Sequence, residues 1–273
     1  MKPFLKLMRP LNCLISSFSV SIVMITLLGT DFISNQILLY TAIGMSVVFF
    51  FTAAGNTLND YMDRETDKIN HPDRPIPSGK VSPKTALVFS ATMFGIGIIL
   101  SFLLEPWIPQ IIVISAVVLM IAYEKKFKRE GLAGNLIIST LTGMVFIFGG
   151  SIYGELYLPT LFGLLAFLAT VGREIVKDIQ DVEGDINRNT FPMRVGHKKA
   201  EITASVFIIG AVVLSPFPYI LNLLSISYLL VVLVADAIFI YSLLLLTSAE
   251  KSQRFIKLAM VIAMIALLTG GLI

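Results

Sequence analysis

Nine apolar runs, each close to the length that crosses a bilayer, fill this 273-residue chain, and all 21 of its Lys and Arg residues fall in or beside alternate connections between them. Backbone N–H and C=O groups have no water to bond in hydrocarbon, so runs of about 20 apolar residues are stable there as helices that satisfy their own backbone. The spans are predicted at 11–28, 36–58, 84–104, 107–123, 132–150, 156–174, 200–220, 225–247 and 255–273. Charged residues make up 14%, against roughly 25% in soluble domains. The expected fold is an all-α polytopic membrane protein, with residues 1–273 forming a single transmembrane domain that leaves almost nothing for a soluble one.

Charge sets the orientation. Lys2, Lys6 and Arg9 precede the first span, and the other basic residues lie in the connections after spans two, four, six and eight or, for Lys84, Arg173 and Lys257, at the span ends that face them. The opposite connections carry Asp31, Glu105 and Glu155 without a Lys or Arg. The positive-inside rule then predicts a cytoplasmic N-terminus in a multi-pass protein of the cell membrane. Trp107, Tyr153 and Tyr157 fall where an outer aromatic belt is expected. The first span is long and lacks a small-x-small cleavage site before Asp31, so it reads as a retained helix. The single Cys13 excludes an intramolecular disulfide, and His71 and His197 form no zinc pattern. Nothing indicates a nucleic-acid ligand or an obligatory protein partner.

Two of the basic-side connections begin with the same acidic pattern, DxxDxxxD: Asp60, Asp63 and Asp67, then Asp178, Asp181 and Asp185. On a helix these spacings bring three carboxylates within about 60° of one another. Such faces repel themselves unless a cation neutralises them, and hard oxygen ligands suit Mg²⁺ with a phosphate-bearing substrate completing the shell. Each cluster runs into a Pro/Gly-rich basic loop, HPDRPIPSGK with Arg74 and INRNTFPMRVGHKK with Arg194. Asp60 and Asp178 are 118 residues apart, a separation of four spans. Two pseudo-equivalent four-helix halves presenting like corners to one central cavity are therefore expected.

The stretch NDYMDRETDKINHPDRPIPSG, Asn59 to Gly79, resembles the first signature of the UbiA superfamily of intramembrane prenyltransferases, and KDIQDVEGD, Lys177 to Asp185, resembles the second. The resemblance covers the whole chain. It implies two Mg²⁺ ions bridging an isoprenyl diphosphate whose allylic chain passes to an acceptor. RPIPSGKVSP, Arg74 to Pro83, and REIVKDIQDVEGD, Arg173 to Asp185, are most similar to the branch that prenylates geranylgeranylglyceryl phosphate in archaeal ether-lipid synthesis. The other acceptors to weigh are an aromatic quinone precursor or a chlorophyllide. The family's tyrosine-to-lysine motif is matched approximately by YEKKFKR, residues 123–129, with Lys126 and Lys128 as alternative lysines.

An allylic carbon ionises when the charge developing on its leaving group is neutralised. Asn59, Asp63, Asp67, Asp181 and Asp185 are assigned to metal binding, with Asp60 and Asp178 as further ligands or supporting groups. Arg64, Lys68, Lys126, Lys128 and Lys177 are the candidates for diphosphate oxygens, ordinary membrane anchoring being the other reading of each. Phe49, Phe50, Phe51, Phe146, Phe148 and Phe167 are candidates for a dry prenyl groove, and Tyr123 for stabilising the allyl cation. Arg9, Arg74 and Lys80, with Asn12, are the candidates for an acceptor carrying a phosphate. A Mg²⁺ channel or phosphate-linked transporter is the rival class. It calls for ionisable groups at mid-membrane, where Asp236 alone qualifies.

Overall fold

The computed structural model describes residues 2–29, 34–105, 107–182 and 189–271. Among these the regular structure is entirely helical, and nine helices are long and apolar enough to span a membrane. They are α1 (Pro10–Leu28), α2 (Asn35–Met62), α3 (Pro83–Ser101), α4 (Ile108–Lys125), α5 (Leu132–Ser151), α6 (Tyr157–Asp181), α7 (His197–Leu214), α8 (Ile226–Leu244) and α9 (Ala249–Gly271). Short helices precede α1 (Lys2–Met8), follow α2 (Arg64–Asn70), precede α7 (Phe191–Val195) and follow it (Phe217–Ile220).

The expected four-helix halves correspond in the structure to α2–α5 and α6–α9. In each, the first helix packs on the second and the third on the fourth, α5 against α6 joins the halves, and α1 wedges between α2, α5 and α9. Lipid tails are as apolar as the helices, so association depends on close packing. Gly143 and Gly163 provide it between α5 and α6: a Cβ on Gly143 would stand 2.7 Å from the Gly163 carbonyl oxygen. The two longest spans are the acid-bearing ones. At 28 and 25 residues, α2 and α6 exceed the roughly 20 that cross the hydrocarbon, so each carries its helical geometry beyond the apolar run.

Starts follow local chemistry. Ser34 accepts a hydrogen bond from the Ile37 N–H, and Ser82 does the same for Thr85 with Pro83 at the first helical position of α3. Pro10 has a larger effect. A residue before proline is pushed out of the right-handed helical region, and Arg9 takes the left-handed conformation, φ 53°, ψ 68°, which is strained for a side chain of this size. The chain breaks there between two helices, and the Asn56 amide donates to the Met8 carbonyl at 2.8 Å, pinning the break onto α2.

Candidate active site

The break at Arg9 aims its guanidinium at the first acidic cluster. Arg9 Nη2 lies 2.5 Å from Asp60 Oδ1, and Asp60, at the end of α2, is only 2% exposed. The HPDRP loop delivers the second cation. Arg74 Nη1 lies 2.6 Å from Asp67 Oδ2 and 3.5 Å from Asp60 Oδ1, so these two acids share a side although α2 itself stops at Met62. Asp63 occupies the junction, its N–H bonding the Asn59 carbonyl at 2.9 Å while its own carbonyl takes the Asp67 N–H at 2.8 Å. The cluster is thus carried on a stepped helix rather than the single continuous helix predicted, with its common face retained.

The lysine alternatives separate. Because α4 ends at Lys125, the Phe127–Arg129 turn swings Lys128 inward, where its Nζ lies 2.8 Å from Asp63 Oδ2 and 2.9 Å from Glu124 Oε2. Lys126 stays exposed beside the Phe127 ring. Glu124, which the sequence reading passed over, is buried and also accepts from the Asn59 amide at 3.0 Å. Its signal was its place four residues before Lys128, one helical turn away.

From the second cluster, Asp178 is half-buried and accepts from the Asn135 amide on α5 at 2.9 Å. Asp181 is exposed at the last residue of α6, and Asp185 lies outside the described residues. On the same helix Lys177 and Arg173 flank Glu174, the former at 3.7 Å and the latter in direct contact. Neither Asn135 nor Glu174 was anticipated.

Beside these groups lies a cavity of about 350 Å³. Arg9, Asn59, Tyr123, Glu124, Glu174 and Lys177 line its polar portion, while Phe51, Leu141, Val145 and Phe146 line its apolar depth. A smaller apolar pocket of about 40 Å³ continues along α2, α4 and α5, sharing Phe51, Leu141 and Val145 and reaching Val47 and Ala116. A second cavity of about 310 Å³ opens on the other side of Phe146, among α1 and α5–α9. Ser16, Ser19, Thr142 and Phe146 border both large cavities. Asp236 faces the second one and accepts from Ser215 Oγ at 2.5 Å, which accounts for its place in an apolar span.

Several sequence candidates stand away from these cavities. Arg64 packs over the Tyr61 ring and donates to its carbonyl, and Lys68 pairs with Glu65. Lys80 and Asn12 are exposed and line neither cavity. Phe50 meets Phe49 edge-on, Phe148 joins the packing between α2 and α5 while bordering the small pocket, and Phe167 packs among α6 and its neighbours.

The donor set is carboxylate and amide oxygen, the chemistry Mg²⁺ takes. Among the described residues no three His, Cys, Asp or Glu side chains are gathered closely enough to hold an ion by themselves. Arg9, Arg74 and Lys128 hold the first cluster's acids instead, and Mg²⁺ commonly takes only one or two carboxylates, completing its shell from phosphates and water. The residues present therefore fit the ion in company with a diphosphate.

Known proteins share this sequence and fold. Residues 17–266 match the model of the UbiA prenyltransferase family. Digeranylgeranylglyceryl phosphate synthase of Methanosphaera stadtmanae is 39% identical with all of both chains covered, and that of Methanosarcina barkeri is 41% identical over 98% of each. A solved digeranylgeranylglyceryl phosphate synthase, 36% identical, superposes with a TM-score of 0.86 over 99% of this chain and 98% of that one. A UbiA homologue from Archaeoglobus fulgidus bound to GPP and Mg²⁺ shares the fold, with a TM-score of 0.74 at 17% identity over 96% of this chain and 99% of that one. Nine spanning helices, acidic clusters four spans apart and full-length identity to named synthases agree: this chain belongs to the UbiA prenyltransferase family.

Proposed function

We propose that the protein transfers a geranylgeranyl group from its diphosphate, with Mg²⁺, to the free hydroxyl of geranylgeranylglyceryl phosphate. The observation that carries this reading is a cavity lined from both acid-bearing helices, by Asn59 of α2 and by Glu174 and Lys177 of α6, with Arg9 tying Asp60 to its wall and with an apolar depth. Full-length identity to relatives named digeranylgeranylglyceryl phosphate synthase supports the acceptor.

Asn59, Asp60, Asp63, Asp67, Asp178 and Asp181 are the described residues that would hold the metal, with Asp185 the remaining member of the pattern. Bound Mg²⁺ supplies neutralising charge to the diphosphate as it departs. Lys177 adds cationic charge in the cavity wall, and Lys128 adds it behind Asp63 and Glu124, where negative charge grows. Arg9 and Arg74 orient Asp60 and Asp67 through their ion pairs. The allylic C–O bond breaks with its electron pair leaving on diphosphate. The acceptor oxygen then bonds to the allylic carbon and releases its proton. Tyr123 lines the cavity just below this point, where its ring can face the carbocation. Phe51, Leu141 and Val145 exclude water from the isoprenoid tail. The alternation of basic connections supports placing this mouth on the cytoplasmic side.

The experiment is an acceptor screen with purified protein, geranylgeranyl diphosphate and Mg²⁺. Ether formation on geranylgeranylglyceryl phosphate is expected. Transfer only to a hydroxybenzoate, naphthoate or chlorophyllide contradicts the acceptor.

A further inference from the structure

The first cavity and its apolar extension accommodate one isoprenoid tail. The second cavity is nearly as large, at about 310 Å³, and meets the first at Phe146. Its walls are apolar for most of their length, formed by Leu165, Ala166, Val232, Phe239, Ala263 and Met264. At its end nearest the acidic clusters stands one cation, Arg173. From Arg173 to Phe162, both lining residues of α6, the helix rises about 16 Å at 1.5 Å per residue. That is a slot for a long chain rather than a single ring.

Arg173, like Lys177 beside it, is paired differently from the cations of the first cluster. Arg9, Arg74 and Lys128 are each bound to an Asp of the first cluster. Among the described residues Arg173 pairs with the neighbouring Glu174 carboxylate alone, and its Nε is buried without a hydrogen-bond partner. A buried donor left unpaired costs on the order of 1–3 kcal/mol, so a site that retains one is suited to an acceptor group arriving from outside. Arg173 also precedes Lys177, a lining residue of the first cavity, by one helical turn. Side chains at that spacing are neighbours about 5–6 Å apart at Cβ. A phosphate on Arg173 therefore sits beside, and one turn deeper than, a diphosphate at Lys177, close to the junction where Ser16, Ser19, Thr142 and Phe146 border both cavities.

We infer that Arg173 is the contact for the acceptor's phosphate and that the second cavity holds the acceptor's own isoprenoid chain, so donor and acceptor tails lie on opposite sides of Phe146. Arg, with its planar fork of donors, suits phosphate oxygens better than Lys does. The hydroxyl to be alkylated, a few bonds from that phosphate, is then brought to the cavity junction where the allylic carbon is exposed. This rests on the acceptor proposed above and specifies how it is recognised.

The test uses full-length protein in detergent, varying each substrate in turn, with Arg173→Gln, Arg173→Lys and, on another helix, Ala263→Phe. Loss of a charge-assisted hydrogen bond raises KM roughly 10- to 150-fold, so Arg173→Gln is expected to show that rise for the phosphorylated acceptor, with donor KM little changed. Its discrimination between phosphorylated and dephosphorylated acceptor should collapse, with Arg173→Lys intermediate. Ala263→Phe should lower the preference for a C20 over a C10 acceptor chain without changing donor-length preference. Wild-type acceptor KM in Arg173→Gln, a loss shared equally by both substrates, or an unchanged chain preference in Ala263→Phe overturns the inference. Failure of the unaltered protein to prenylate any glyceryl phosphate would instead overturn the acceptor reading, which is why wild type is assayed first.

Discussion

Lys128 Nζ stands 2.8 Å from Asp63 Oδ2 with 7% of its side chain exposed, so a cation that meets the first acidic cluster's central residue is largely withdrawn from solvent. The same ammonium holds Glu124, whose side chain is 2% exposed. Removing one partner of a buried pair costs about 3–5 kcal/mol because the remaining charge is stranded. Lys128→Met is therefore expected to lower the melting temperature in detergent and to abolish most turnover. Lys126→Met, altering an exposed neighbour, should leave both within about 2-fold, since surface changes are worth about 0.5 kcal/mol or less. Parallel melting and turnover measurements on the two variants check this.

Arg9 and Arg74 behave differently from Lys80. Both arginines are bonded to acids of the first cluster, whereas Lys80 is exposed on the far part of the same loop. Arg9→Ala and Arg74→Ala should raise donor KM and the Mg²⁺ concentration for half-maximal rate, each by roughly 10-fold or more, the size of a charge-assisted hydrogen bond. Lys80→Ala should change neither. Mg²⁺ titrations of initial rate distinguish the three.

Ala116, on α4, lines the small pocket beyond the first cavity. Ala116→Phe should block that extension and lower the preference for a C20 over a C10 donor by roughly 10-fold or more, since about 0.8 kcal/mol accompanies each buried methylene. Competition between donors of the two lengths gives the ratio directly.

The architecture was legible because a membrane leaves few options for an apolar run, while its ends were not, since a helix does not stop where hydropathy does. Predicted spans ended at 58 and 174, yet α2 continues to Met62 and α6 to Asp181, keeping the acids on helical backbone. Cluster spacing put Asp60 and Asp67 on one face, and Arg74 reaches across both. The choice between Lys126 and Lys128 needed the turn after α4, and Glu124 was hidden among the more conspicuous basic residues around it. Asn56 and Asn135 gave a weaker signal as isolated amides in apolar helices. The break at Arg9 had one cue, Pro10, but its target 51 residues away is fixed only by tertiary packing.

The central claim is that acids from α2 and α6 act together on one Mg²⁺-bound diphosphate. Turnover of Asp63→Asn and Asp181→Asn, measured across a Mg²⁺ titration on protein shown by melting to be folded, tests it most directly. Each variant is expected to lose at least about 10²-fold in turnover, the scale of one lost electrostatic contact to the departing charge, and EDTA is expected to abolish wild-type activity reversibly. Near-normal turnover in folded Asp181→Asn, with Asp63→Asn inactive, would show that the first cluster works alone and would contradict the account.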